Sequence, residues 1–360
     1  MKLDKLTIRG YKSIKELKDF EFRALNVLIG ANGAGKSNLL SLFRLLNAIA
    51  EGNLQVYIQK QGGPDALLFG GRKRTAQMDA LFYFGDNGYW IRLAATADNR
   101  LIFEREETLF KEQMNQVSYP PLAGYPEAWL LNNLTPESQF VRPPLQRWRL
   151  YHFQDASDAA AVKQPHQSND NLRLKPDAAN LAAFLASLRA GFPSEYRRIV
   201  ETIRLAAPFF GDFVARDPLP QTVELEWTER GDPDTPYRAH VLSDGTLRFI
   251  CLTTLLLQPL ALRPDTVLID EPELGLHPYA INLLAEMLKQ ASADKQVIVS
   301  TQSVELLNNF APEDVIVADR EDSASVFKRL DADELEDWLQ DYTLGELWKK
   351  NILGGRPMRT

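Results

Sequence analysis

The stretch ALNVLIGANGAGKSNLLSLF, residues 24–43, decides the fold of this chain. Residues 24–29 are apolar and are typical of a buried strand. After a glycine-rich turn, large apolar side chains recur at helical spacing through residues 38–50, and Gly52 marks the end of that segment. We therefore predict a buried strand, a tight loop and an amphipathic helix in direct succession.

The turn matches the pattern GxxxxGK[ST] at every position. Its glycines let backbone N–H groups point at phosphate oxygens in front of a helix N-terminus. The Lys36 ammonium would neutralise the β- and γ-phosphates, and the Ser37 hydroxyl would bind Mg²⁺. A glycine-rich turn that arose by chance would lack the strand before it and the helix after it. The predicted nucleotide-binding residues of this loop are Gly30, Ala31, Asn32, Gly33, Ala34, Gly35, Lys36, Ser37 and Asn38.

A second apolar strand, residues 266–269, ends in the acids Asp270 and Glu271. Open α/β sheets bind ligands at the carboxyl ends of their strands. We expect Asp270 to hold Mg²⁺, directly or through water, and Glu271 to orient and deprotonate the attacking water. Acids are also common where a strand ends at the surface. The complete phosphate loop in the same chain favours the catalytic interpretation, with Lys36 acting beside Glu271.

Strands and helices alternate at both ends of the chain, which predicts an α/β fold: a mixed, mainly parallel sheet with helices on both faces and an inserted α+β and helical lobe. The predicted division assigns residues 1–60 and 235–330 to a split core, 61–160 to an antiparallel β-rich insertion that is part of the core lobe, 161–220 to a helical insertion and 331–360 to a helical tail.

Within the insertions, residues 78–104 are expected to form three antiparallel strands, because Asp-Asn-Gly at 86–88 is a hairpin signal. Prolines and polar residues over 119–144 predict irregular structure, and residues 178–204 predict a helix. The other predicted strands are residues 3–9, 149–153, 222–227, 237–242, 296–300, 315–317 and 325–330, and the other predicted helices are residues 246–257 and 279–291 and two short ones at the end.

Four motifs occur in a fixed order: GANGAGKS (30–37), LSDGT (242–246), LIDEPELGLHP (268–278) and VIVSTQS (297–303). In this combination the chain resembles the ABC-type ATPases of the SMC/RecF/OLD group, and more closely the stand-alone bacterial AAA-family predicted ATPases. The resemblance extends from LTIRGYKSI near the start to DYTLGELWKKNILGGRP near the end. It implies a P-loop NTPase fold of the ABC-ATPase type.

In that group two protomers sandwich two ATP molecules, so the resemblance implies an ATP-dependent homodimer with ATP and Mg²⁺ as ligands. Ser243 and Gly245 would contact the γ-phosphate that is bound by the partner's Lys36. Ser243 is equally suited to cap a helix. Residues 274–278 would touch across the dimer beside Glu271.

The chain departs from the pattern of ABC transporters after the strand at 296–300. Gln302 stands where those proteins usually carry histidine; we assign it a catalytic role as a γ-phosphate sensor, which donates a hydrogen bond but takes no proton. Gln59 and Gln61 are candidates for the glutamine that links the first helix to the insertion. Arg248 would face the partner's phosphate or form a salt bridge within its own subunit.

The net charge limits how the protein could bind DNA, and the cysteine content indicates its cellular compartment. The net charge is -7 and the pI about 5.3, so contact with DNA would need a local basic patch. Residues 72–74, Arg-Lys-Arg, form the densest cluster, and the alternative is a solvated loop. The single cysteine, Cys251, suits a reducing cytosol. The charged N-terminus and an apolar run of only residues 249–257 predict a cytoplasmic protein with no membrane contact.

Three functions fit these observations to different degrees. The first is an ATP-switched dimeric ATPase in DNA maintenance, repair or anti-phage defence. The second is a regulatory scaffold in which ATP binding restrains or activates a separate effector, such as a nuclease or toxin. The third is the energising subunit of a transporter, against which the large insertion, the LSDGT sequence and the missing histidine argue.

Overall fold

The computed structural model describes residues 2–110, 124–131 and 136–355, and the strands within them form four sheets. In chain order the strands are β1 (Lys5–Tyr11), β2 (Ile14–Glu21), β3 (Leu25–Ile29), β4 (Gln77–Phe84), β5 (Asn87–Ala95), β6 (Leu101–Phe110), β7 (Arg149–Tyr151), β8 (His166–Gln167), β9 (Phe210–Phe213), β10 (Thr222–Val223), β11 (Glu226–Glu229), β12 (Asp232–Arg238), β13 (Thr266–Asp270), β14 (Gln296–Ser300), β15 (Val315–Glu321) and β16 (Ala324–Arg329).

The helices, again in chain order, are α1 (Lys36–Glu51), α2 (Leu54–Lys60), α3 (Pro64–Leu67), α4 (Pro136–Arg147), α5 (Leu181–Gly191), α6 (Pro193–Ala206), α7 (Asp244–Leu257), α8 (Pro278–Asp294), α9 (Val304–Leu307), α10 (Ala332–Leu339) and α11 (Leu344–Lys349). Short 3-10 turns occur at Trp129–Leu131, Ala161–Lys163, Ala239–Val241 and Pro312–Asp314. Within the described ranges, no helix has both the length and the apolar character that crossing a membrane requires.

The central sheet has the strand order β16-β15-β3-β14-β13-β7. Five of its strands run parallel, and only β16 is antiparallel to its neighbour. The carboxyl ends of β3, β7, β13 and β14 therefore lie at one edge, where open α/β sheets bind their ligands. The phosphate loop, the two acids after β13 and the segment after β14 meet at this edge.

The two faces of the central sheet carry separate apolar cores. Along β3, Val27 and Ile29 belong to one core and Leu28 to the other. Helices α7 and α8 contribute to the first core, and α1 contributes to the second. Burial on both faces explains why these strands are apolar throughout. The predicted arrangement of a mainly parallel sheet between helices is confirmed.

A five-stranded antiparallel sheet, in the order β2-β1-β4-β5-β6, packs over α1 and contributes to the second core. The three strands predicted within residues 78–104 are confirmed as β4, β5 and β6. Strand β2 was not predicted. It lies at the sheet edge, and of its residues only Ile14 and Leu17 are buried. Its sequence therefore lacks the alternation by which a half-buried strand is recognised.

The predicted single helix over residues 178–204 is two helices. Helix α5 ends at Gly191, and α6 begins at Pro193 after one intervening residue, Phe192. Proline has no backbone N–H to bond into the preceding turn, and its fixed φ suits the first position of a new helix. Pro193 therefore causes the break, although the apolar periodicity continues on both sides of it.

The prediction of irregular structure over residues 119–144 is wrong for its last part, because α4 runs through Pro143 and Pro144. Residues 119–123 and 132–135 lie outside the described residues. The helix packs on α1: Leu145 is buried, and the Asn47 side-chain amide donates to the Leu145 carbonyl at 3.1 Å. Tertiary packing here outweighs the helix-breaking tendency of proline.

The predicted division of the chain cuts across the sheets. Strand β7, from segment 61–160, is an edge strand of the central sheet, whereas β1 and β2, from segment 1–60, belong to the antiparallel sheet. Segment 161–220 holds strands β8 and β9 as well as α5 and α6. Residues 331–355 contain the two expected short helices, α10 and α11. Chain order therefore does not separate the two sheets.

Trp148 joins the antiparallel sheet to the helix that carries the phosphate loop. Its side chain is 1% exposed. The ring lies 4.9 Å from the Phe43 ring of α1 and 5.6 Å from the Phe84 ring of β4, measured between centroids. Truncation of this residue would leave a cavity beneath α1.

We expect Trp148→Ala to lower the free energy of unfolding by about 3–5 kcal/mol, through lost burial and the cavity left behind. Trp338→Ala is the matched control, since Trp338 is 44% exposed, and we expect a change of roughly 0.5 kcal/mol or less. Urea denaturation followed by circular dichroism measures both. Equal losses for the two variants would contradict the packing role of Trp148.

Candidate functional site

The phosphate loop lies between β3 and α1 and is shaped by three glycines with positive φ, Gly30 (148°), Gly33 (81°) and Gly35 (110°). A Cβ atom at Gly30 would clash with the Ala318 carbonyl of β15, and one at Gly35 would clash with Ser325 of β16. At Gly33 nothing lies within 4 Å of such an atom. The loop therefore packs closely against β15 and β16 and is open at Gly33.

Lys36 begins α1, and its ammonium is folded back over the loop. It donates to the Gly30 carbonyl at 2.6 Å and to the Ala31 carbonyl at 3.2 Å, and the residue is 5% exposed. Burial lowers the pKa of the Lys36 ammonium, and the nearby carboxylates of Glu271, Asp270 and Glu273 oppose that shift. The cation is thus held by weak, replaceable acceptors at the place where a phosphate would lie.

The remaining loop residues divide into exposed and anchored ones. Asn32 and Ser37 are exposed on the open side. The Asn38 side chain instead donates to the Ser13 hydroxyl at 2.7 Å. Ser13 also receives a hydrogen bond from Ser325 at 2.7 Å, so the first turn of α1 is tied to both sheets. The Ser37 hydroxyl is left available for a ligand.

Asp270 ends β13 and lies opposite Ser300 of β14 in parallel register. The Ser300 hydroxyl donates to the Asp270 carboxylate, and the backbone N–H of Glu271 donates to the Ser300 carbonyl at 2.9 Å. These bonds fix the strand end, because both partners sit on buried, neighbouring strands. The structure thus places Asp270 and Lys36 at the same edge of the central sheet.

Glu271 adopts a left-handed backbone conformation, with φ of 47°. This conformation is costly for a residue with a side chain, and such strain clusters at functional positions. Two side-chain amides hold the carboxylate: Gln302 donates to Oε1, and Gln154 donates to Oε2 at 3.4 Å. The carboxylate is therefore oriented from both sides. The contact between Gln302 and Glu271 was not predicted, and the role of Gln302 as a γ-phosphate sensor stays a prediction.

Gln154 was not found from the sequence. Gln59 and Gln61 were the candidates for a linking glutamine, and the Gln61 side chain instead accepts a hydrogen bond from Lys12 at 3.4 Å. Gln154 follows β7, which pairs in parallel with β13. A residue just beyond β7 therefore reaches the same edge as Glu271. Gln154 could have been predicted only if β7 had been recognised as a neighbour of β13.

Glu273 is a second residue that the sequence reading missed. It is 7% exposed, and its Oε1 accepts from the Thr301 hydroxyl at 2.5 Å and from the Gln302 backbone N–H at 3.0 Å. Burial raises the pKa of its carboxyl group, and hydrogen bonds from Thr301 and Gln302 oppose that shift. Glu273 joins the loop after β13 to the segment after β14 and so positions Gln302.

The LSDGT segment opens α7, and Ser243 caps that helix by accepting from the Thr246 backbone N–H at 3.2 Å. A Cβ atom at Gly245 would clash with the Gly275 carbonyl, so the segment packs tightly on the loop after β13. Within the described residues, the hydrogen bonds and close contacts of Ser243 and Gly245 involve α7 and that loop, and none involves residues 30–37. Ser243 remains exposed.

Arg248 binds three carbonyl groups of its own chain rather than a carboxylate. Its guanidinium donates to Phe153 at 3.2 Å, Gln154 at 2.6 Å and Leu274 at 2.8 Å. It therefore connects α7 to the segment after β7 and to the loop after β13. The intrachain alternative is the one observed, with backbone carbonyls in place of the expected salt bridge.

The chain is similar to known proteins in sequence and in fold. The family described as "AAA domain, putative AbiEii toxin, Type IV TA system" matches residues 25–308. A putative ABC transporter ATP-binding protein of Methanosarcina acetivorans is 32% identical over 81 residues, a stretch that spans 22% of this chain and 28% of that relative.

Among solved structures, an Smc head bound to the C-terminal winged-helix domain of ScpA superposes with a TM-score of 0.63 at 16% identity, covering 93% of this chain and 99% of that one. An Smc head with an extended coiled coil, bound to the C-terminal domain of ScpA derived from Pyrococcus furiosus, gives 0.59 at 15% identity, covering 94% and 98%. The fold is thus that of an ABC-type P-loop ATPase. The family match covers most of the chain, and this protein belongs to the AAA-domain family described as a putative AbiEii toxin of type IV toxin–antitoxin systems.

Proposed function

We propose that this protein binds ATP with Mg²⁺ and hydrolyses it between two copies of itself. The observation that carries the proposal is the meeting of a buried ammonium, Lys36, with the carboxylates of Asp270 and Glu271 at one edge of the central sheet. Phosphoryl transfer requires a positive charge at the phosphates, an oxygen ligand for Mg²⁺ and a carboxylate that orients the attacking water.

The residues present fit a nucleotide triphosphate with Mg²⁺. Lys36 has only carbonyls of its own loop as hydrogen-bond partners, and phosphate oxygens can replace them. The loop is open at Gly33, and Ser37 is exposed beside it. Ser37 and Asp270 would hold the cation, since Mg²⁺ prefers oxygen ligands. The cation would neutralise charge on the phosphates.

Glu271 is the group we assign to the attacking water. Neither amide that holds it, from Gln154 or Gln302, can accept a proton at neutral pH, so the carboxylate is the base of this cluster. Lys36 would stabilise the charge that develops on the transferred phosphoryl group. Glu273 accepts from the Gln302 backbone N–H and so keeps Gln302 in place.

Exposed apolar side chains around LSDGT support a dimer. Val241 is 65% exposed, Leu274 39% and Tyr279 52%, and they flank the contact between the LSDGT segment and the loop after β13. Ser243 and Gly245 lie on the same part of the surface, and the N-terminus of α7 favours negative charge. A second copy would bury these side chains and complete the site around the phosphates.

Glu271→Gln is expected to bind ATP with unchanged affinity and to lose at least about a hundredfold in turnover, because the general base is removed and the shape is kept. Lys36→Ala is the contrasting variant: it should lose nucleotide binding itself. Titration with a fluorescent ATP analogue and phosphate release measure the two steps. Normal turnover by Glu271→Gln would place the base elsewhere.

Ser243→Arg should prevent ATP-dependent dimerisation while the monomer still binds ATP, because a long cation would enter the interface. Ser194→Arg, at an exposed serine in the first turn of α6, is the matched control and should dimerise normally. Light scattering with Mg-ATP in the Glu271→Gln background gives the molar mass. A dimer that persists in Ser243→Arg would remove LSDGT from the interface.

We further propose a role in DNA maintenance or defence, with DNA contacting a basic groove beside the phosphate loop. The groove, of about 960 Å³, is lined by Lys12, Lys73, Arg74 and Arg320 among others. Arg320 donates to the Gly33 carbonyl at 3.3 Å, so the groove adjoins the nucleotide loop. Arg72, the first residue of the basic cluster, is engaged by Asp65 at 2.9 Å.

The alternative is a cytoplasmic scaffold for a separate effector protein, such as a nuclease or toxin. An Smc head of the same fold is seen bound to a domain of ScpA, which shows that such a head can carry a protein partner. The two proposals differ in what should change turnover: a DNA duplex in the first, a co-purifying protein in the second.

Steady-state ATP hydrolysis with and without linear duplex DNA separates them. DNA action predicts a several-fold stimulation that fades as salt rises, since phosphate contacts release counterions. Lys73→Glu should lose this stimulation, and Lys349→Glu, on the exposed side of α11, should keep it. Turnover that ignores DNA at every salt concentration would favour the effector scaffold.

A further inference from the structure

The phosphate loop has a contact that the proposed function does not use. After α11 the chain passes through Leu353, which is buried in the core of the central sheet, and reaches Gly355 beside the loop. The Gly355 carbonyl accepts the backbone N–H of Ala31 at 2.7 Å. Its own N–H donates to the Asp319 carboxylate at 2.9 Å. Gly355 is therefore held between β15 and the loop.

The backbone and the packing at this position strongly favour glycine. Gly355 has a φ of 76°, in the left-handed region. A Cβ atom there would lie 3.0 Å from the Val317 side chain and 3.2 Å from both the Ala318 carbonyl and the Gly30 Cα. Gly354 shares the positive φ, at 80°, but a Cβ atom on it would meet its nearest neighbour, Asp319, at an ordinary 3.4 Å. Close packing against the phosphate loop is thus specific to Gly355.

Gly355 and Lys36 both form hydrogen bonds with the same peptide group, the one that joins Gly30 to Ala31. Gly30 supplies the carbonyl of that peptide, which accepts the Lys36 ammonium at 2.6 Å, and Ala31 supplies its N–H, which binds Gly355. One peptide plane therefore links the ammonium to the Gly355 carbonyl in a line of two hydrogen bonds. Such chains polarise and strengthen their members.

We propose that Gly355 is a positioning residue of the nucleotide site: it fixes the Gly30–Ala31 peptide and, through it, the shape of the loop and the resting place of Lys36. The inference rests on the proposed function, since positioning has meaning only if the loop binds phosphate. A loop already ordered in the absence of ligand loses less entropy when the ligand binds. Release of the contact should weaken nucleotide affinity.

The first experiment compares Gly355→Val with Gly354→Ala in the full chain. Gly355→Val combines an unfavourable φ with a clash on the loop, whereas Gly354→Ala carries the unfavourable φ alone. We expect the Kd for a fluorescent ATP analogue with Mg²⁺ to rise roughly tenfold in Gly355→Val, and to stay within about twofold in Gly354→Ala. Equal affinities for Gly355→Val and the unaltered chain would overturn the positioning role.

The second experiment follows amide hydrogen exchange at Ala31 without nucleotide, a readout that a general loss of stability does not move selectively. The Ala31 amide should be protected in the unaltered chain and exchange at least tenfold faster in Gly355→Val, relative to amides of β13 and β14. Unchanged protection would show that the contact is absent.

Asp319 provides a variant that leaves both glycines intact. Asp319→Ala removes the acceptor for the Gly355 N–H and should weaken ATP binding in the same direction, whereas Asp319→Asn keeps an oxygen at that place and should restore it. Failure of the asparagine variant to exceed the alanine variant would count against the proposal. If the unaltered chain bound no nucleotide, the proposed function would fail first, and exchange at Ala31 would still decide whether the contact exists.

Discussion

The Lys36 ammonium is the charge around which the rest of the site is arranged. An ammonium removed from water is costly unless other groups replace its hydration. Here two backbone carbonyls bind it, and the carboxylates of Asp270, Glu271 and Glu273 surround it at longer range. This arrangement keeps the cation in a buried place with partners that are weaker than a phosphate. The stability of the loop and its suitability for an anion have the same origin.

Several residues of the site act by holding others in place. Glu273 fixes the segment that carries Gln302, and Arg248 joins three backbone segments that come from distant parts of the chain. Gly245 allows the helix after LSDGT to approach the loop after β13. Through these contacts, a shift of the loop beside Glu271 would be felt at the surface that surrounds Ser243. The proposed water activation and the proposed subunit contact would therefore be mechanically coupled.

The parts of this site that local sequence patterns encode were predictable. The strand, glycines and helix of the phosphate loop occur in one continuous stretch of sequence. The two acids are likewise recognisable, because they directly follow the apolar residues of β13. Gln154 and Glu273 were not predictable in this way, because their roles arise from neighbours that are far away in sequence. The order of strands in the central sheet places Gln154 beside Glu271. The prolines of α4 led to a wrong prediction for a related reason. The packing of α4 on α1 stabilises this helix, and the local sequence pattern does not show that packing.

Strand β3, which leads into the phosphate loop, lies between β14 and β15 in the central sheet. It is therefore synthesised long before either of its sheet neighbours, because most of the described chain lies between β3 and β14. At roughly 5–20 residues per second, a ribosome would need on the order of tens of seconds to bridge that interval. During this time the apolar strand lacks both of the neighbours with which it pairs in the folded sheet. The central sheet can close around β3 only after β14 and β15 have left the ribosome.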